Sequence, residues 1–238
     1  MTETEQTLSG EQPTVQMFAR FASELHEADG VEETVEAVAQ FALHAVGCSA
    51  ASVALIVRGR RPEQMAMTDP GLADLYDAQI AAGAGPLITT IQQEALVTIP
   101  DVVTETRWSP AWADQVAAAG YRSAAHLPLS IGRRKAEAVL SLFADRPQAF
   151  DRDDLAVAHI LARHASVAIA AARNEATLAG AADARKLVGQ AQGILMERFD
   201  LDADRAFEVL KRYSQDHNRK LRDVADELIS TRSLPGRS

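Results

Sequence analysis

The 238-residue chain is 47% hydrophobic and 24% charged, enough to bury a real core, which excludes collagen-like and wholly disordered classes. Its 24 Lys and Arg against 33 Asp and Glu leave a net charge of −9, which excludes a protein that coats nucleic acid or an anionic membrane over its whole surface. The balance is uneven: from Arg173 to Ser238 there are 12 basic and 11 acidic residues, net +1, so the first 172 residues carry −10. At roughly 150 residues per domain the length predicts two unequal domains, and only the second approaches phosphates without strong repulsion.

A single cysteine, Cys48, leaves no intramolecular disulfide and no thiolate cluster for zinc, so no metal site is expected and the cytoplasm is the expected compartment. No basic residue precedes Arg20, so no secretory or transit signal is read, and residues 1–13 are expected to be a disordered tail. The uncharged stretch 37–57 is long enough to span a bilayer, but Gln40, His44 and Ser49 interrupt it and Gly47 separates helical spacing from a β-branched run. It is read as a helix, a turn and a buried strand, with no membrane contact.

Apolar spacing predicts two helices over 14–46, divided by Gly30, then a strand at 51–58, a loop and a helix at 72–82. Gly83-Ala84-Gly85-Pro86 reads as a break, followed by a short strand at 96–99 and a short helix at 110–119 that Gly120 stops. Two apolar runs, 121–131 and 137–144, joined by Gly132-Arg133-Arg134-Lys135, predict an antiparallel hairpin with a basic tip, with Pro128 at an edge or bulge. Asp151, with Asp154 three residues on, predicts the cap of a helix that runs to Gly180. Ala168, Ile169 and Ala172 on that helix are expected to be left uncovered and, with the N-terminal helices, to form a homodimer interface.

The order Tyr121-Arg122-Ser123-Ala124-Ala125-His126-Leu127-Pro128-Leu129, then Glu137-Ala138-Val139-Leu140-Ser141-Leu142-Phe143, then Phe150 and Asp153-Asp154-Leu155 resembles a GAF domain, with Glu137-Ala138 in place of the usual Ile-Gly. The resemblance implies an antiparallel sheet flanked by helices and a small-molecule pocket between the central strands and residues 71–99. No cofactor-specific residue set occurs, so no cofactor is expected and the ligand is left unnamed. The Asn-Lys signature of the cyclic-nucleotide subset is missing, since no Asn precedes Asn174.

Beyond Gly180 the periodicity predicts three amphipathic helices, 182–199, 203–216 and 219–230, with Asp202 and Asn218 as caps of the second and third. The string Ala184-Arg185-Lys186-Leu187-Val188-Gly189-Gln190-Ala191-Gln192-Gly193-Ile194-Leu195-Met196-Glu197-Arg198, then Ala206-Phe207-Glu208-Val209-Leu210, Ser214 and Asn218-Arg219-Lys220-Leu221-Arg222-Asp223-Val224-Ala225 resembles an ANTAR domain. That resemblance implies an RNA-binding output module that favours transcription antitermination by binding paired hairpins in nascent RNA. The candidate RNA contacts are Arg185, Gln192, Gly193, Arg198, Arg212, Ser214, Arg219, Lys220 and Arg222. Gln192 stands where the family usually has Lys, which removes a phosphate contact but keeps two donors and an acceptor.

Charge agrees with this. From Arg205 to Arg222 six cations face only Glu208 and Asp216. Arg185, Gly189 and Gln192 share one shoulder of their helix, where a small residue admits a close approach. Tyr213 is placed to stack a base or, at helical spacing from Leu210 and Ala206, to join the core. The blander reading is a solvated basic surface, and the rival function is a DNA-binding helix-turn-helix over 203–230, weakened by Asp223, Asp226 and Glu227 on its recognition helix. No Ser-His-Asp set, Walker loop or Gly-x-Gly-x-x-Gly occurs, so enzymatic activity is not expected. The fold class is α+β: a GAF-like sheet domain over 14–172, a helical linker over 173–182 and a three-helix ANTAR-like bundle over 183–238.

Overall fold

The chain's apolar runs of period two pair into a single five-stranded antiparallel sheet. The computed structural model describes residues 4–56, 62–130 and 138–233, with strands β1 (Ala50–Ile56), β2 (Pro62–Met67), β3 (Val97–Ile99), β4 (Ser123–Leu129) and β5 (Ala138–Ala144) in the order β2-β1-β5-β4-β3. Helices α1 (Thr4–Glu27), α2 (Gly30–Ala45), α3 (Leu72–Ala82), α4 (Pro86–Gln93) and α5 (Pro110–Ala118) flank it. The long helix α6 (Arg152–Phe199) follows, then α7 (Ala203–Asp216) and α8 (Leu221–Thr231). The contacts divide the chain into two compact units, Met1–Arg173 and Asn174–Ser238.

The predicted hairpin is present: β4 and β5 pair without a break from Ser123 opposite Ala144 to Leu129 opposite Ala138. Its expected basic tip lies outside the described residues. β3 pairs only with residues 124–126 of β4, so Pro128 sits where that side of the strand has no partner and its missing N–H breaks no ladder. The stretch 37–57 resolves into α2, a turn with Gly47 at φ 65° and β1.

Alternation gives the sheet two buried faces. On one, Val53, Leu127, Leu140 and Leu142 pack with Val35 and Val38 of α2, Phe21 of α1 and Leu161, Ala165 and Ile169 of α6. Phe21 and Phe41 stack there with ring centroids 4.0 Å apart. On the other, Val97, Ile99, Val139 and Phe143 meet Leu72, Leu75 and Tyr76 of α3, Leu87 of α4, and Trp112 and Val116 of α5. Arg122 and Ser123 lock the sheet's corner: the Arg122 guanidinium forks onto Asp101 at 3.1 and 3.2 Å, and Ser123 Oγ donates to the Arg146 carbonyl at 2.8 Å.

Several expectations need correction. The residues expected as a disordered tail are, from Thr4, the first turns of α1, where Glu5, Gln6, Leu8, Glu11 and Gln12 are all good helix formers. The expected loop after β1 contains β2, missed because Glu63 and Gln64 have low strand propensity, although Pro62 stands at the first position of an edge strand, where it is tolerated. The break at 83–86 is itself a helix start, since Pro86 occupies the first turn of α4, where an N–H has no acceptor anyway. Gly85, at φ 124°, is the residue that must be glycine there: a Cβ would lie 2.4 Å from Gln79 Oε1, which accepts the Leu87 N–H.

Asp151 caps α6 as expected, with Oδ1 accepting the Asp153 and Asp154 N–H groups at 2.8 and 2.9 Å while Asp154 accepts the Asp151 N–H at 3.1 Å. Those backbone donors hold the Asp151 carboxyl below its ordinary range. Gly180, however, does not end the helix, which runs through it for 48 residues; one interior glycine costs only about 1 kcal/mol. Ile169, expected to be uncovered, is fully buried, because it continues the Leu161 and Ala165 line that faces the sheet. In the part of α6 that belongs to the first unit, Ile160 and Val167 are exposed instead, at 47% and 71%. By length and composition α6 could cross a membrane, yet its Leu161, Ala165 and Ile169 are covered by the first core, as in the core helix of a folded domain.

In the second unit Ala191, Leu195, Ala206, Leu210, Val224, Ala225 and Leu228 form a small buried core shared by the end of α6, α7 and α8. Asp202 caps α7 as expected, accepting the Arg205 N–H at 2.8 Å. Asn218 does not cap α8. At φ 48° it ends α7 in a Schellman motif, with Asn218 N–H donating to the Gln215 carbonyl at 3.2 Å and Arg219 N–H to the Ser214 carbonyl at 2.9 Å. α8 therefore begins at Leu221, with Lys220 at its cap position.

Candidate nucleic-acid interface

On α6 the side chains of Leu187, Val188, Ala191 and Leu195 turn toward the small core, which leaves Arg185, Gly189 and Gly193, at i, i+4 and i+8, along one exposed line. A Cβ built on Gly189 or Gly193 would meet no atom within 4 Å. Each glycine lowers helix stability by about 1 kcal/mol relative to alanine, and nothing inside the chain requires either. Arg185 has no ion-pair or hydrogen-bond partner among the described residues. Gln192 stands beside this line, half-buried, and its Nε2 donates to the Ala203 carbonyl at 3.1 Å, tying α6 to the first turn of α7.

The other candidates divide by what already holds them. Ser214 Oγ donates to the Arg219 carbonyl at 2.6 Å, so this hydroxyl closes the turn between α7 and α8. Arg198 donates to the Arg232 carbonyl, fastening the end of α6 to the end of α8. Arg219 pairs with Glu227, and Arg222 Nε lies 3.2 Å from Asp223 Oδ1. Arg212 is held loosely, 3.7 Å from Asp216, with its side chain 83% exposed. Lys220, exposed at the start of α8, has no partner among the described residues.

The structure thus separates the nine candidates into Arg185 and Gly193 on an exposed line of α6, the struts Gln192, Arg198 and Ser214, Arg219 and Arg222 paired with acids of α8, Arg212 loosely paired within α7, and Lys220 without a partner among the described residues. Sequence reasoning missed Lys186, an exposed cation beside Arg185, and His217, whose ring stacks on Tyr213 at 5.2 Å and 7°. Adjacency to Arg185 was the signal for the first. For the second it was the i, i+4 spacing of two rings. Tyr213 itself is half-buried against the small core, which favours its packing role over base stacking. The helix-turn-helix reading weakens, since two of the three cations at the start of α8, Arg219 and Arg222, are paired with Glu227 and Asp223.

A sequence profile of the GAF domain matches residues 28–170, more than half of the chain. The chain belongs to the GAF domain family. A profile of the ANTAR domain matches residues 176–229, so a GAF sensor is joined to an ANTAR module of the RNA-binding, regulatory kind. The GAF domain of a phosphoenolpyruvate-protein phosphotransferase from Acinetobacter superposes with a TM-score of 0.54 at 19% identity, covering 68% of this chain and 96% of that one. Its counterpart from Coxiella burnetii gives 0.52 at 17%, covering 68% and 96%. The photosensory core module of the Stigmatella aurantiaca phytochrome gives 0.54 at 16%, covering 85% and 45%. At these identities the likeness establishes the fold alone. Among curated proteins none matches significantly.

Inside the GAF domain a polar row crosses the sheet. His126 of β4 stands opposite Ser141 of β5, which stands opposite Ser52 of β1, and all three are fully buried. His126 Nδ1 lies 2.8 Å from Ser141 Oγ, and the Tyr76 hydroxyl hydrogen-bonds Ser52 and Ser141. Burial pushes the His126 imidazole down to about 3, so it is neutral, and pushes the Tyr76 phenol up to about 12. His126 Nε2 has no partner among the described residues, and the ring packs edge-on against Phe143 at 5.6 Å. The space between the central strands and residues 71–99, expected to enclose a ligand, is filled by Leu72, Leu75, Tyr76 and Leu87, all buried.

Proposed function

We propose that this GAF–ANTAR chain is a cytoplasmic transcription antitermination regulator whose ANTAR domain binds hairpin loops in nascent RNA. The observation that carries this reading is the exposed line Arg185, Gly189 and Gly193. Two helix-interior glycines with open space above them and a free guanidinium one turn away form a surface that a nucleic-acid backbone approaches closely. Arg185, Lys186 and Lys220 supply the unneutralised cations, with Arg212 as a loosely held fourth. The reading includes a homodimer, supported by exposed Ile160 and Val167, because two symmetric modules match two hairpins.

Gel shifts of a two-hairpin RNA and of a duplex DNA pool across salt concentration test it. RNA binding should exceed duplex binding and weaken steeply with salt. Replacing Arg185 and Lys220 together by Ala should lower RNA affinity about tenfold or more and flatten the salt dependence by roughly one phosphate contact each, with little loss of stability. Equal or stronger binding of duplex DNA overturns the assignment in favour of the helix-turn-helix.

A further inference from the structure

Outside the layer that touches the sheet, α3 and α5 leave an open groove of about 490 Å³. Its walls are unusual for this chain. Trp108 and Trp112, the only two tryptophans in the sequence, both line it, packed edge-to-face at 5.4 Å, and Ala78, Ala82 and Ala84 leave the opposite side low. Among the described residues that line it Arg107 carries the one charge, and none is acidic, in a domain that is strongly negative elsewhere.

Among its polar groups Gln79 and Ser109 are engaged by the fold, accepting the Leu87 and Trp112 backbone N–H groups, the Gln115 amide also lines it, and two side-chain donors are left over. Trp108 Nε1 is used, donating to Thr89 Oγ1 at 3.1 Å. Trp112 is 6% exposed, and its buried indole Nε1–H has no acceptor among the described residues. The Arg107 guanidinium lies 4.4 Å over the Trp108 ring, with Nε and Nη2 held by Glu105 and by the Thr98 carbonyl at 2.6 Å. That leaves its Nη1 edge without a partner among the described residues. The Glu105 carboxylate, held below its ordinary range by Arg107, is 8% exposed and does not line the groove. It holds the guanidinium in place by Nε and Nη2, so what Arg107 offers a ligand is a directed Nη1 donor edge rather than a free positive charge.

We propose that this groove binds a planar aromatic carboxylate, its ring against the two indoles and its oxygens accepting from Arg107 Nη1 and the Trp112 indole N–H. Aromatic walls select a flat ring, and partnerless donors beside a fixed guanidinium select an acceptor-rich, anionic edge over a cationic one. The proposal rests on reading the GAF domain as a sensor, and it moves the ligand from the filled space over the sheet to the α3–α5 groove.

The two indole N–H resonances of the full-length protein, one per tryptophan, make the test specific. Titration with 2-naphthoate should shift both saturably, and the Trp112 signal should move downfield as it gains an acceptor. 2-Naphthylmethylammonium and cyclohexanecarboxylate, which lack the carboxylate and the flat ring respectively, should bind at least tenfold more weakly. Arg107→Gln should weaken 2-naphthoate at least tenfold. Ala82→Phe, which places a ring in the groove and leaves Arg107 and its partners unsubstituted, should abolish binding while the far-UV circular dichroism of the free protein stays unchanged. Unmoved indole resonances at millimolar 2-naphthoate, or equal binding of the ammonium analogue, overturn the site and leave RNA binding untouched. Binding in the groove with RNA affinity unchanged by 2-naphthoate supports the site and overturns the sensor reading, because coupling between two sites is reciprocal.

Discussion

In the GAF domain the row Ser52, Ser141 and His126 is fully buried, with Tyr76 closing it, whereas in the ANTAR domain the polar groups that matter are exposed. The ANTAR cations are mostly held by acids and carbonyls of the module itself. Burial assigns most polar groups in the GAF domain to a partner, His126 Nε2 and the Trp112 indole N–H being the exceptions among the described residues, so the role of the rest can be read from what they touch. On the ANTAR surface the informative residues are those that touch nothing: Arg185, Lys220, Gly189 and Gly193. A partner outside the chain is the physical reason for a free cation beside two unneeded glycines, just as an internal partner is the reason for a buried hydroxyl.

The most severe way to probe the contrast removes packing from the smaller side. The ANTAR core has seven buried side chains, and Leu195→Ala in so small a set should cost about 2–5 kcal/mol, most of the stability of such a module. Far-UV circular dichroism in urea should lose helix early and RNA binding should vanish. Trp108 and Trp112, both in the first unit, should report an unchanged transition. A tryptophan transition displaced by the same amount would show that the two units do not unfold separately.

Acid should act on the other side of the comparison. The folded-state His126 is depressed to about 3 by burial, while in the unfolded chain it titrates near 6.5. Below pH ~6.5 the unfolded state takes up a proton that the folded state refuses, so the GAF domain should lose about 1.4 kcal/mol of stability per pH unit from there down toward pH 3. Urea midpoints read by tryptophan emission between pH 7.5 and 4.5 should show this slope. His126→Gln should reduce it by one proton, while the lowered carboxyls of Asp69 and Glu105 matter only at more acid pH. An identical slope in the variant would place the acid sensitivity elsewhere.

Legibility in the sequence followed the same division between buried and exposed. The hairpin, the cap at Asp151, the cap at Asp202 and the last two helices were readable, because period and capping chemistry act locally, whereas the helix expected over 182–199 is the end of the continuous α6. β2 was not, since Glu63 and Gln64 belong to an edge strand whose pairing with β1, including the irregularity between Val53 and Ala54, is a tertiary fact. Asn218 was misread because a residue suited to a cap is equally suited to the left-handed end of the preceding helix. In the candidate site, residue types were legible and their employment was not: Ser214, Arg198 and Gln192 read as contacts but act as struts. Only coordinates show which donors are already taken.

If neutralisation by its own acids is what silences the start of α8, releasing one cation should be visible. Glu227→Gln frees Arg219 at little cost, since a partly exposed pair contributes at most about 1 kcal/mol. RNA affinity should rise severalfold at low salt and duplex DNA affinity with it, narrowing the preference between them. Unchanged affinity for both would place the start of α8 outside the nucleic-acid surface and leave α6 as its centre.

The smallest expected change in stability carries the sharpest argument. Gly193→Ala adds one methyl group in open space, at a position whose backbone is ordinary helix, so it should stabilise the ANTAR domain by about 0.5–1 kcal/mol, raising its urea midpoint. If Gly193 were kept only for tolerance of the helix, that gain would be the whole effect and RNA binding would stay the same or improve slightly. If the line from Arg185 to Gly193 is where a phosphodiester backbone lies against the helix, the same methyl group holds the two apart, and affinity should fall although the protein is more stable and no charge has changed. Stabilisation and weakened binding in one variant cannot come from damage to the fold. Gly180→Ala, likewise in open space but off the Arg185 line, should give the gain in helix stability with RNA affinity intact. Equal loss of affinity in the two variants would move the interface away from Gly193.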